Sequence, residues 1–155
     1  MKKRYYCDPE EIMAEDWLNR NYNDMKKLEA DRRMLEVMEN RLGAGVAKYE
    51  NDGTQTRDAT RSQARHEDAL LEYSAQSAKV EAETAELARE MAKTREAIDA
   101  LGDPDLIAIA IDRYINQLRW KDVAKLEHIG RATVFRYRKK MLASMVEILR
   151  QKSII

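Results

Sequence analysis

Between Trp120 and Leu142 the sequence reads WKDVAKLEHIGRATVFRYRKKML, and its second half carries Arg131, Arg136, Arg138, Lys139 and Lys140 with no acidic residue among them. Cations at this density on one helix suit contact with a phosphate backbone, where released counterions supply affinity, and an arginine fork can also read the edge of a guanine. Spacing decides which of them face outward. Val123, Ala124, Ile129, Val134 and Tyr137 fall where two helices joined by a tight turn need inward-facing side chains. Ala124 is small enough for the helices to cross closely, and Ile129 plugs the corner. On that frame Arg131, Thr133 and Arg136 are the candidates for base contacts in a major groove. Lys121, Arg138, Lys139 and Lys140 are the candidates for phosphate contacts, which give affinity without choosing a sequence.

The run W-K-D-V-A followed by I-G-R-A-T-V-F-R-Y-R-K-K resembles region 4 of bacterial sigma factors, and more closely the ArpU-type and related small regulators encoded by Gram-positive phages. The resemblance covers Asp103 to Leu149. D-P-D-L and R-Y-I-N-Q-L-R-W, ahead of the motif, resemble the helix that precedes it in those domains. Two positions depart from the pattern. His128 stands at the turn where glycine is favoured, and Gly130 replaces the serine that caps the second helix; glycine as a cap loses only a few tenths of a kcal/mol. The leucine expected just before the turn is displaced by one, to Leu126.

The resemblance implies a sequence-specific, duplex-DNA-binding regulator of transcription, acting on a phage or prophage late operon. Two alternatives stay open: a small-terminase-like DNA-packaging protein, and a sigma-like module that acts mainly by binding RNA polymerase.

The elements that must carry this module are helical. Few prolines and glycines and one phenylalanine, beside abundant Ala, Glu, Lys, Arg, Leu and Met, give an all-α composition with little to build a sheet. Asp8-Pro9-Glu10-Glu11 reads as a helix start, and the helix is expected to run to about Leu42, where Gly43-Ala44-Gly45 stops it. Along it Ile12, Trp17, Leu18, Tyr22, Met25, Leu28, Leu35, Met38 and Leu42 recur at threes and fours. Residues 43–62 read as a flexible connection. From 63 to 101 the positions Leu70, Tyr73, Ser77, Val80, Thr84, Leu87, Met91, Thr94, Ile98 and Leu101 form an unbroken heptad seam. At ~1.5 Å per residue that helix would span roughly 58 Å, so it needs a partner helix. The partner is either the first helix, folded back antiparallel, or a second copy of the chain.

Gly102 then ends the long helix and Asp103-Pro104 opens an apolar one, 104–118. The expected architecture is a coiled-coil-like stalk over 1–102, a small helix-turn-helix domain over 103–150, and a frayed tail at 151–155. The stalk makes a homodimer the expected oligomer.

Composition and motifs set other chemistry aside. Residues 103–155 hold 11 Lys/Arg and 6 Asp/Glu, while residues 1–102 hold 17 and 22, so the net charge of zero conceals a basic end on an acidic stalk. No nucleotide-binding glycine motif, paired cysteines or His-Glu helix signature occurs, and His66 and His128 are far apart in sequence. No catalytic residue, metal site or cofactor is expected. The acids at Glu10-Glu11 and Asp103/Asp105 sit at helix starts, where capping and the helix dipole explain them. The lone Cys7 suits a reducing cytoplasm, and the basic N-terminus has no apolar run behind it, so neither a signal peptide nor a membrane partner is expected.

Overall fold

The computed structural model describes the backbone of residues 8–50 and 57–155, and the side chains of 8–43 and 61–155. Among these residues the chain is all-α: α1 (Pro9–Asn19), α2 (Tyr22–Glu50), α3 (Arg57–Asp99), α4 (Pro104–Ala110), α5 (Trp120–Leu126) and α6 (Arg131–Gln151), with a wider π-helical turn at Ile111–Ile115. None of the helices is long and apolar enough, over the described residues, to cross a membrane. Cys7 lies outside the described residues.

Both expected helix starts form. The Asp8 side chain accepts the Glu10 N–H at 3.3 Å and Asp103 accepts that of Asp105 at 3.0 Å. Each is followed by a proline in the first turn, where its missing N–H would have had no helical partner anyway. Gly102 takes φ +75°, the left-handed conformation that a glycine adopts without a Cβ penalty, and turns the chain from α3 towards the Asp103 cap.

The helix expected from Asp8 to Leu42 is instead interrupted at Arg20-Asn21. Arg20 curls back, its guanidinium donating to the Trp17 carbonyl at 2.9 Å and lying 3.9 Å from the Trp17 ring centre. A second nitrogen of the same group donates to the Glu90 carbonyl at 3.0 Å. Asn21 is buried, with its amide 3.8 Å from the Met91 sulfur. The sequence did carry a signal, since Asn19, Asn21 and Asn23 crowd a poor helix former into one short stretch.

At the other end of α2 the expectation also fails. The helix continues through Gly43 to Glu50 and α3 begins at Arg57, so only 51–56 of the anticipated 43–62 connection lies outside the described residues. A glycine inside a helix costs about 1 kcal/mol relative to alanine, which is too little by itself to stop one.

The chain divides into two compact units, one made of residues up to Tyr22 together with Ala88–Ile155, the other of Asn23–Leu87. The first has an apolar core. Ala14 and Leu18 of α1, Ala97 and Ile98 of α3, Leu106 and Ala110 of α4, and Tyr114 of the π-turn pack with Met141, Leu142, Met145, Val146 and Leu149 of α6. The boundary expected at 102/103 is therefore displaced, because an α4 that is apolar over most of its circumference needs α1 and the end of α3 to cover it.

The tail is likewise ordered. Ser153 takes φ +58°, its N–H bonds the Arg150 carbonyl at 3.0 Å, the Ile154 N–H bonds that of Leu149 at 2.9 Å, and Ile155 packs on the core. That paired closure is a Schellman cap, which satisfies carbonyls a frayed end would leave to water.

In the second unit, contacts join the middle of α2 to the middle of α3, which makes an antiparallel hairpin. Leu28, Val80 and Gln76 are its buried side chains among the described residues, and the Gln76 amide donates to the Asp31 carbonyl at 3.1 Å. Arg32 donates to the Thr84 hydroxyl at 3.3 Å, and Lys79 lies 3.7 Å from Asp31. The expected seam holds at Tyr73, Val80 and Leu87 but not at Leu70, which is 44% exposed. Gln76 and Glu83, one residue before Ser77 and Thr84, share the shielded stripe.

Candidate nucleic-acid interface

The α5–turn–α6 segment owes its shape to a second small core. Ile109 of α4, Val123 and Ala124 of α5 and Val134 of α6 are buried together, with Leu118, Trp120, Ile129, Phe135 and Tyr137 packed around them. The five inward positions read from the spacing are thus the ones the fold buries or shields. Trp120 meets Tyr114 edge-on, ring centres 6.2 Å apart, which ties α5 to the larger core.

The turn closes without glycine at its left-handed position. His128 takes φ +55°, with its N–H on the Lys125 carbonyl at 3.3 Å and the following Ile129 N–H on that of Ala124 at 3.0 Å. This is the same cap that ends α6, here with histidine in the place usually taken by glycine. Gly130 then has the extended backbone of an N-cap (φ −73°, ψ 158°), and its carbonyl accepts the Val134 N–H at 3.0 Å.

Because Val134, Met141, Met145 and Leu149 hold the inner face of α6, the opposite face is left to Arg136, Lys139 and Lys140, all exposed. Arg131 is exposed at the first turn, Thr133 is half-buried, and Lys121 is exposed on α5. None of Lys121, Arg131, Arg136, Lys139 and Lys140 makes an ion pair among the described residues. Lys125, one turn after Lys121, is exposed as well and had been passed over. The signal that could have found it is the spacing of four between the two lysines.

Arg138 has to be withdrawn from the phosphate set. Its Nε and one terminal nitrogen lie 3.2 and 2.5 Å from the two carboxylate oxygens of Glu15 in α1. The Tyr114 hydroxyl donates to the same carboxylate at 3.2 Å, and the Arg138 guanidinium sits 5.6 Å from the Trp120 ring centre. The helical period explains this, because 134, 138, 141 and 145 form one stripe along the inner face. Burial, and then the charge of Glu15, push the Tyr114 phenol well above its ordinary value, so it stays a donor. Farther along α6, Arg150 pairs with Glu10 and Lys152 lies 3.1 Å from Glu96.

One acidic contact lies behind the turn. Asp112, in the π-turn, is only 8% exposed, and Glu127, which ends α5, meets it carboxyl to carboxyl. The hydrogen bond with Asp112, then burial, then the charges of Asp112 and Asp105 hold Glu127 above its ordinary value, against a lowering effect of His128. No group of three or more His, Cys, Asp or Glu among the described residues is arranged to hold a metal ion.

A family described as a protein of unknown function, DUF1492, matches residues 50–146, which is more than half of the chain and includes all of α3, α4 and α5 and most of α6. The chain belongs to that family. No curated protein and no solved structure matches it.

Proposed function

We propose that this chain is a sequence-specific, duplex-DNA-binding regulator of transcription, with α6 as the helix that enters the major groove. The observation that carries the reading is the outer surface of the helix-turn-helix. Lys121, Arg131, Arg136, Lys139 and Lys140 stand exposed there without an anion from the described part of the chain, while the apolar residues behind them hold α6 in place. Unneutralised cations on a fixed helix are a phosphate-binding surface, and Arg131, Thr133 and Arg136 lie where base edges would be met. Lys125 joins the phosphate set.

The resemblance to ArpU-type regulators directs the reading to control of a phage or prophage late operon in the cytoplasm, by a dimer joined through the hairpin. It assigns the chain no catalysis and no cofactor. Leu126, 56% exposed at the end of α5, favours the second reading, in which the module docks on RNA polymerase.

The test compares two kinds of substitution at outward residues. Arg136→Ala lowers discrimination between a selected operator and random duplex by about 1–3 kcal/mol, the worth of a bidentate guanine contact. The double change Lys139→Ala and Lys140→Ala weakens both duplexes alike and makes the salt dependence shallower by about two units. Gel-shift or anisotropy titrations over a range of salt read out both, with helicity checked by circular dichroism. A wild type without salt-dependent affinity for any duplex defeats the reading in favour of polymerase binding.

A further inference from the structure

We propose that Glu15 of α1 is a positioning residue: by holding Arg138 it fixes the rotation of α6 about its own axis, and with it the direction in which Arg131 and Arg136 face, for the DNA contact on whose reading the proposal rests. α1 lies outside residues 50–146, the stretch the family model matches, yet it packs directly on α6.

The apolar contacts of α6 leave a gap where the arginine sits. Val134 anchors the start of the helix in the smaller core, and Met141, Leu142, Met145, Val146 and Leu149 anchor the rest in the larger one, with Ala14 and Leu18 of α1 in the same cluster. Between Val134 and Met141 no apolar side chain of α6 is fully buried, and the inner stripe is continued by Arg138, whose side chain is 21% exposed. Apolar contact is non-directional and tolerates small rotations. The contact between Arg138 and Glu15 sets a direction, because a planar guanidinium meets a carboxylate through two nitrogens, one on each oxygen, with Nε at 3.2 Å and the terminal nitrogen at 2.5 Å.

Glu15 is held in its turn. The Tyr114 hydroxyl, on a side chain only 1% exposed, donates at 3.2 Å to the oxygen that Nε meets. The Arg138 guanidinium lies 5.6 Å from the ring centre of Trp120, the first residue of α5. Contacts from α1, the π-turn and α5 thus meet around one point on α6. Glu10 and Arg150 pair the same two helices farther along, but both side chains are about half exposed, where an ion pair contributes little.

Rotation matters unequally to the outward residues. With side chains a helix is about 10–12 Å across, so a turn of about 20° moves a side-chain tip by roughly 2 Å. That exceeds the ~0.5 Å spread of hydrogen-bond lengths through which an arginine reads a base edge, while a lysine on its flexible stem can follow a phosphate. Loosening Arg138 therefore costs sequence choice before it costs affinity.

Full-length wild type, Glu15→Gln, Arg138→Met, the double variant of these two, Arg138→Lys and Glu10→Gln are compared by thermal unfolding in circular dichroism. Affinity is measured well below every melting transition, over a range of salt, for a duplex recovered by selection from random-sequence DNA and for a random duplex. Either single substitution breaks the pair, so the double variant should melt no lower than the less stable of the two singles. Glu15→Gln, which removes the charge, and Arg138→Lys, which keeps the charge but not the fork, should each lose several-fold in discrimination between the two duplexes, with the salt slope on the random one unchanged. Glu10→Gln should match the wild type in melting and in discrimination.

Melting losses that add in the double variant overturn the pair. Unchanged discrimination in Glu15→Gln, beside losses that do not add, overturns the positioning role and leaves Glu15 a partner in stability alone. Tighter binding of both duplexes by Glu15→Gln, with a salt slope steeper by about one unit, overturns it as well, since Arg138 would then be a phosphate contact that Glu15 masks. A wild type that binds neither duplex, beside losses that do not add, defeats the DNA reading and the positioning role with it, while the pair stands. Should Arg138→Met fail to fold, Arg138→Lys takes its place in the double variant, with the same expectation.

Discussion

In the unit that carries α6, apolar side chains from α1, α3, α4, the π-turn and α6 meet in one cluster, and a second forms under the helix-turn-helix. Between Asn23 and Leu87 the fully buried apolar side chains among the described residues are Leu28 and Val80, with Gln76 beside them and Tyr73 and Leu87 half-buried, and the hydrogen bonds and ion pair that join the helices run through Asp31, Arg32, Gln76, Lys79 and Thr84. Apolar burial is non-directional and contributes in proportion to area, whereas polar partners contribute little net stability but tolerate few alternative alignments. The first unit is therefore built to be stable, and the hairpin to be in register. A polar residue at a seam position is a known means of fixing helix pairing at some cost in stability.

The largest expected effect comes from cutting the first unit along the boundary its sequence advertises. A fragment beginning at Ala100 lacks Ala14, Leu18, Ala97 and Ile98, all of which are essentially inaccessible in the folded unit. Losing one such large side chain typically costs about 2–5 kcal/mol, against roughly 5–15 kcal/mol for a whole domain. The fragment should show little cooperative unfolding by circular dichroism. A sharp melt would mean that α4 to α6 hold themselves together and that the comparison is drawn in the wrong place.

Next in size is Leu18→Ala in the full chain, which should destabilise the first unit by about 2–5 kcal/mol in denaturant titrations. Val80→Ala in the hairpin should cost about 1.6 kcal/mol at most, two CH₂-sized groups. Equal losses would show that the hairpin depends on its apolar pair as heavily as the first unit does on its core.

The smallest effect concerns the hairpin's own carboxyl contact. Glu83 is raised from its ordinary value, first by its hydrogen bond with Asp31; Asp31 is lowered, first by its hydrogen bond with Glu83. The raised group stabilises below pH 4.5 and loses its contribution as pH rises. The lowered group stabilises above pH 3.8 and loses its contribution as pH falls below that. Hairpin stability should pass through a shallow maximum near these values, and Glu83→Gln should flatten its alkaline side in a pH series of melts.

Much of the helix-turn-helix was legible, because Val123, Ala124, Ile129, Val134 and Tyr137 obey local periodicity and the cap residues sit next to the helices they cap. Arg138 was misread for a different reason. Its charge drew it to the outer surface, while its position on the inner stripe required a carboxylate from Glu15, 123 residues earlier. No pattern within α6 announces that partner. The same holds for the domain boundary, since Gly102-Asp103-Pro104 ends one helix and starts another without separating the cores they belong to. Asp112 and Glu127 escaped notice because each looks like an ordinary surface acid until the π-turn brings them together.

That π-turn is also a matter of counting. At Ile111–Ile115 the helix holds its ring open by bonding the Asn116 N–H to the Ile111 carbonyl at 2.9 Å, one residue farther back than an α-helix would reach. Such a widening is what a helix does with one surplus residue it cannot expel. Deleting a single residue there would let the helix close to its ordinary pitch while Leu118 and Trp120 stay in register, because the widened turn already absorbs the surplus residue. The same deletion within α6, a regular helix, would instead turn everything downstream by about 100° around the axis. The π-turn is therefore the place in this unit where the chain can lose one residue at least cost.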